Sequence, residues 1–119
     1  MKKFLMSFKY AIDGIIYVFK NEFNMRVHLL AVIAVVICGL IFDISKTSFI
    51  ICIILFGLVL SAECFNTAIE ILNNMVVRMN KDERYIAAGH SKDVAAGGVL
   101  ILAICSAIIG LMIFIPKVF

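Results

Sequence analysis

Residues 94–115 carry no charged side chain. A helix needs roughly 20 apolar residues to cross a bilayer, and this stretch supplies them alone. The rest of the chain offers it no interior to hide in. Of 119 residues, 64% are hydrophobic, where a soluble domain is about half apolar. Mean hydropathy is +1.11. A chain this short leaves much of its surface uncovered when folded, so lipid must cover part of it. The length suits a single domain, 1–119.

Two further apolar runs follow the same logic. Residues 27–42 hold one His and otherwise only apolar residues and Gly, and 49–62 are apolar apart from Gly57 and Ser61. Each is too short to span unaided, so each extends into its flanks. The predicted spans are about 27–46, 48–75 and 93–116. Asp43-Ile44-Ser45-Lys46 reads as a tight turn between the first two. Residues 80–93 read as a surface loop leading into the start of the third.

The first segment differs. Phe4, Phe8, Ile12, Ile15 and Phe19 recur at helical spacing, with Lys9, Asp13 and Lys20 on another face. Such a helix, predicted over 2–24, lies in the membrane interface instead of crossing it. A secretory signal peptide is excluded by Asp13 inside the apolar stretch and by the absence of a small-residue cleavage site after it. The expected fold class is therefore an all-α membrane protein, one amphipathic surface helix plus three transmembrane helices. Lys2, Lys3, Lys9, Lys20 and Arg26 precede the first span, and Arg78, Lys81, Arg84 and Lys92 lie between the second and third. Only Lys46 and Lys117 fall on the other side. The excess of positive charge marks the cytoplasmic side, giving an N-in/C-out multi-pass protein of the cytoplasmic membrane.

Composition also removes function classes. Cys38, Cys52, Cys64 and Cys105 form no CxxC pair, so they support neither a zinc site nor a redox motif and read as small buried hydrophobes. The net charge of +3 is too small for a nucleic-acid partner and suits anionic membrane lipids. Ala95, Ala96, Gly97, Gly98, Ser106 and Gly110 read as positions of close helix packing, and no phosphate-loop motif is present.

Against this background the polar residues inside or beside the spans mark function. Glu63, Asn66 and Glu70 lie at i, i+3 and i+7 and share one helix face. Two carboxylates and an amide on one stripe are oxygen ligands for a hard cation such as Mg²⁺, and a desolvated Glu suits a general base. A polar seam between subunits, or a water-facing helix end, is the competing reading. Glu22 and Arg26 are spaced as a plain helix pair, yet topology sets Glu22 at the level of Glu63 and Glu70. Asp93 fits either a helix cap or, with Lys92, a phosphate and metal site at a helix N-terminus. His28 is ambiguous and His90 reads as a loop residue.

Three motifs then converge: Asn21-Glu22-x-Asn24-x-Arg26-x-His28, Glu63-x-x-Asn66-Thr67-Ala68-Ile69-Glu70 and Lys92-Asp93-Val94-Ala95-Ala96-Gly97. In this order, over nearly the whole chain, they resemble the small prokaryotic diacylglycerol kinase family, nearest its Gram-positive branch, whose members act as undecaprenol kinases. The resemblance implies a homotrimer with active sites between protomers. It implies Mg²⁺-dependent transfer of the ATP γ-phosphate to a lipid alcohol at the cytoplasmic interface. By similarity, Glu63 is the base, and Glu22 and Glu70 hold the metal. Asn66, Lys92, Asp93, Lys3 and Tyr10 contact ATP along with the two metal-binding carboxylates, and Asn24 and Arg26 are structural or face the substrate. Departures are Asn74 where the family usually has Asp, Ser91 where it usually has Ala, and a longer connection over 80–90, which leaves no role assigned to Glu83.

Undecaprenol is the expected acceptor and diacylglycerol the alternative. An ion or proton relay through Glu63 and Glu70 would be a different class of function, and a structural scaffold a third. Neither explains why Glu22 and Lys92-Asp93 share a level with Glu63.

Overall fold

A computed structural model describes residues 1–79 and 83–119, the stretch 83–89 as backbone alone. Four helices account for nearly all of it: α1 Lys2–Asn21, α2 Phe23–Ile41, α3 Lys46–Met79 and α4 Glu83–Val118. Three segments are long and apolar enough to cross a membrane: Phe23–Ile41, Lys46–Met79 and His90–Val118. The amphipathic α1 is not among them.

The break between α1 and α2 is a single residue. Glu22 adopts an extended conformation, φ −110° and ψ 116°, and ends one helix while opening the next. No Pro or Gly forces it. The Asn21 side-chain amide donates to the Tyr17 carbonyl at 2.8 Å, the acceptor its own backbone N–H would use in a continuing helix, and such local competition weakens the helix there. Glu22 and Arg26 therefore do not form the intrahelical pair that their spacing suggests.

The turn between α2 and α3 is built as tightly as predicted. The Ile44 N–H donates to the Gly39 carbonyl at 3.1 Å, and Asp43 occupies the left-handed region at φ 51°. Together they form a Schellman closure of α2. Ser45 then caps α3, its Oγ accepting from the Ser48 backbone N–H at 3.1 Å. Ile44 is buried against this joint. A Cβ on Gly39 would lie 2.8 Å from the Phe49 ring, so only glycine lets α2 and α3 meet this closely.

The third connection departs from expectation. Residues 80–82 lie outside the described residues, as does that part of the longer 80–90 connection. From Glu83 onward the predicted loop is helix, continuous through His90, Ser91 and Asp93 to Val118. Arg84, Ala87 and Ala88 are good helix formers and no Pro interrupts them. Asp93 thus lies three turns inside α4. The helix-start reading of Ser91-Lys92-Asp93, with its anion-favouring dipole, is corrected.

Helix lengths act as rulers. At about 1.5 Å per residue, the 34 residues of α3 reach about 51 Å, against a hydrocarbon core of about 30 Å. Counted from Lys46, the core is crossed near Asn66. Counted back from Phe42 along α2, it is crossed near Glu22. The carboxylate-bearing ends of both helices therefore emerge from the apolar layer together, with Glu63 just inside it.

The interior is sparse. Cys52, Val59, Glu63 and Thr67 are the buried residues of α3, all on one stripe, which meets α2 and α4 at Cys52 and Val59 and α1 at Thr67. Val18, Met25 and Ile44 add little from elsewhere. Leu30, Leu40, Ile53, Ile101 and Met112 point outward, and no described residue of α4 is fully buried. Among the described residues, nothing outside the helix's own backbone approaches the Cβ positions of Gly97, Gly98 or Gly110 within 4 Å. The close packing expected at these glycines is not made among the described residues.

Candidate active site

Glu63 sits where α3 leaves the apolar layer, and it is 1% exposed. Neither of its carboxylate oxygens has a hydrogen-bond partner. A buried polar group left without a hydrogen-bond partner costs free energy, so its place here calls for a functional explanation. The helix period brings it here. Glu63 follows Val59 by one turn on the stripe that α3 buries, so the chain inserts a carboxylate where another apolar residue would fit the pattern.

His28, one turn and a half into α2, meets it. Its Nε2 lies 3.6 Å from Glu63 Oε2. The sequence left His28 ambiguous, and a lone His beside an apolar run gave no signal of its partner across the helix pair. Thr67, one turn beyond Glu63, is a second buried side chain without a hydrogen-bond partner. It was legible only as part of the motif.

About 10 Å further along α3, Glu70 pairs with Lys92 of α4 at 3.3 Å. Both are partly exposed, so this pair stands at the wet edge of the site. Glu22 faces the same cluster from the α1–α2 break. Partial burial pushes its carboxyl above the ordinary range, the neighbouring Glu70 and Glu63 carboxylates push the same way, and Lys92 opposes them. Three acidic side chains and one cation thus converge from α2, α3 and α4. Asn66 lies half-buried between Glu63 and Glu70.

Among the described residues, no three His, Cys, Asp or Glu side chains form a closed metal cage. Mg²⁺ does not need one. It typically takes one or two carboxylates with substrate phosphates and water. Glu22 and Glu70 offer hard oxygen donors, and a cation there would relieve the repulsion that raises Glu22. The donor set fits.

The remaining predicted residues are more scattered. Asp93, Asn24 and Arg26 are exposed beside the cluster in sequence. Tyr10 lines a cavity of about 290 Å³ between α1 and α3, with Tyr17 and Thr67 in its wall. Lys3 stands in the first turn of α1, about 28 Å from Glu22 by helical rise. Within one chain it does not join the carboxylates. A larger apolar cavity, about 300 Å³, opens between α2, α3 and α4, with His28 at its wall.

The family described as prokaryotic diacylglycerol kinase matches residues 9–114, a range that holds every residue of the carboxylate cluster. A protein named undecaprenol kinase from Bacillus subtilis is 38% identical over 117 residues, covering 98% of this chain and 92% of that one. A diacylglycerol kinase from Synechocystis is 31% identical over 112 residues, covering 94% of this chain and 62% of that protein. No solved structure matches. With the family's extent coinciding with the helices that carry Glu22, Glu63, Glu70 and Lys92, the chain belongs to the prokaryotic diacylglycerol kinase family.

Proposed function

We propose that this protein is an ATP- and Mg²⁺-dependent kinase of the cytoplasmic membrane that phosphorylates undecaprenol. The observation that carries the reading is the carboxylate series on α3. Glu63 is buried at the inner end of an apolar run, where a lipid hydroxyl arrives, and Glu70 stands about two turns outward, where a water-soluble nucleotide arrives. Glu63 takes the proton of the acceptor hydroxyl. Glu22 and Glu70 hold the metal, and Lys92, Asp93 and Asn66 contact the nucleotide. Mg²⁺ held by Glu22 and Glu70 would supply positive charge to offset that of the phosphates. The chain's own residues position the reactants and exclude water from the hydroxyl.

The site faces the cytoplasm. The distribution of Lys and Arg, with N-terminus in and C-terminus out, supports that orientation. α1 lies in the interface, its exposed Phe4, Phe8 and Ile12 in lipid. The working form is a homotrimer. The uncovered α4 and the open glycines at 97, 98 and 110 support a neighbour packed there. A neighbouring chain also resolves the distance to Lys3, which meets the nucleotide of an adjacent copy, with Tyr10 nearer the same bound nucleotide.

Diacylglycerol is the second reading, favoured by the name of the Synechocystis relative. Transfer of ³²P from Mg²⁺-ATP to undecaprenol and diacylglycerol, run in parallel in mixed micelles, separates the two. Undecaprenol is expected to be the better acceptor. Preference for diacylglycerol replaces the substrate, and transfer to neither alcohol removes the kinase.

A further inference from the structure

The His28–Glu63 contact is unassigned by the roles above. Its distance of 3.6 Å exceeds that of a hydrogen bond, which runs about 2.7–3.2 Å for N–H···O. The two groups face each other without satisfying each other, and both Glu63 oxygens stay unpartnered. The gap is the right size for a shared third atom. An oxygen about 2.7 Å from Glu63 Oε2 and about 2.9 Å from His28 Nε2 closes a triangle on that 3.6 Å base without strain.

The approach to this gap is apolar. The cavity of about 300 Å³ beneath it is walled by Val32, Val35, Leu55, Phe56 and Val59, and His28 is in the same wall. Val59 is one turn from Glu63 on the buried stripe. A hydroxyl reaching Glu63 from the bilayer with an apolar chain behind it passes His28. A water-soluble group arriving from the Glu70–Lys92 edge does not.

We propose that His28 is a further catalytic residue, one that grips the acceptor hydroxyl together with Glu63 while the cavity holds the adjoining isoprenoid carbons. This rests on the lipid-kinase reading. His28 donates its Nε2 proton in a hydrogen bond to the hydroxyl oxygen, and the hydroxyl donates to Glu63 Oε2. As the oxygen forms its bond to the γ-phosphorus, its proton passes to Glu63. The bond between that phosphorus and the β,γ-bridging oxygen breaks, and its electron pair leaves with ADP. His28 keeps its proton throughout and stabilises the charge that grows on the attacking oxygen.

The test compares His28→Leu, which fills the space without a donor, with His28→Gln, which restores an N–H. The measurements are kcat and KM for undecaprenol and for ATP, with Mg²⁺-ATP binding measured separately. His28→Leu is expected to lower kcat roughly 100-fold, the effect of losing one such donor, with the ATP KM and Mg²⁺-ATP binding held within twofold. His28→Gln is expected to recover at least tenfold of that loss. A parental rate in His28→Leu, or equal loss in both variants with ATP binding intact, overturns the grip and leaves the kinase standing. Should His28→Leu fail to fold, His28→Gln decides alone against His28→Met, which lacks the donor but keeps a flexible apolar chain. Failure of the unaltered protein to phosphorylate any lipid alcohol overturns the kinase reading itself, and the grip with it.

Discussion

Removing the Glu63 carboxylate should make the protein more stable and inactive at once. The side chain is 1% exposed, and neither oxygen is hydrogen-bonded. The imidazole that meets it, His28, stands at 3.6 Å, too far to replace lost hydration. An unsatisfied buried polar group costs about 1–3 kcal/mol, and more when charged. Replacing buried ionic groups with apolar residues of similar volume is neutral or stabilising by about 1–4 kcal/mol. Glu63→Leu continues the apolar stripe of Cys52 and Val59 and should add about 1–3 kcal/mol. Glu63→Gln should add little, since its amide also lacks partners. Glu70→Leu serves as the control. Glu70 is partly exposed and paired with a half-exposed Lys92, so its removal should fall within about 0.5 kcal/mol of the parent. Thermal unfolding followed by circular dichroism in one detergent gives the stabilities, and ³²P transfer gives the rates, which should fall about 10²–10⁴-fold for both Glu63 variants. A Glu63→Leu protein that is less stable than its parent would refute the reasoning. It would mean that the carboxylate is satisfied in the assembled protein, by a group that a neighbouring chain supplies.

Three further expectations follow from the same geometry. Glu70→Gln should weaken Mg²⁺-ATP binding and raise the ATP KM, whereas Glu63→Gln should leave binding intact; equal loss of binding in the two would contradict the division of roles. Glu22 has a raised pKa, so the folded state binds its proton more tightly than the unfolded chain does. Stability should then fall as pH rises from the unfolded value of about 4.3 through the folded one, with the loss complete above it. Mg²⁺ should restore Tm above that window and have little effect below it, and Glu22→Gln should flatten both trends in a Tm series against pH with and without Mg²⁺. Gly39→Ala should cost about 1–3 kcal/mol through overpacking, because its Cβ would press on the Phe49 ring; an unchanged Tm would show that the ring moves freely.

What the sequence made legible was set by composition and period. Three spans and one amphipathic helix follow from hydropathy alone, and Glu63 announced itself as a charge after a long apolar run. The stripe through Cys52, Val59, Glu63 and Thr67 obeys the helical period and needed no tertiary knowledge. Other features depend on contacts between elements. Nothing local distinguishes His28 from any His at a membrane edge until α2 is laid against α3. The polarity of residues 83–93 mimicked a loop, although their intrinsic propensity favours helix, and α4 keeps going because nothing stops it. The break at Glu22 was hidden for the opposite reason: a residue with good helix propensity is extended there, with neither Pro nor Gly to signal it. Gly97, Gly98 and Gly110 read as packing residues, but among the described residues nothing packs against them.

The two ends of the α2–α3 pair are unlike. At one, Gly39, Ile44 and Ser45 lock the helices with a closed turn and a cap. At the other, about 25 Å away along α3 and about 17 Å from Gly39 along α2 by helical rise, Glu63 and His28 face each other across a gap. The pair is a set of tongs, fixed at the pivot and open at the tips. A rotation of about two degrees at the pivot displaces the tips by about 1 Å, and an error of that size in the placing of reacting groups can slow a reaction about 100-fold. The glycine at position 39 therefore helps to set the spacing between His28 and Glu63, the aperture at which the proposed acceptor hydroxyl would be held, from the opposite end of the helix pair.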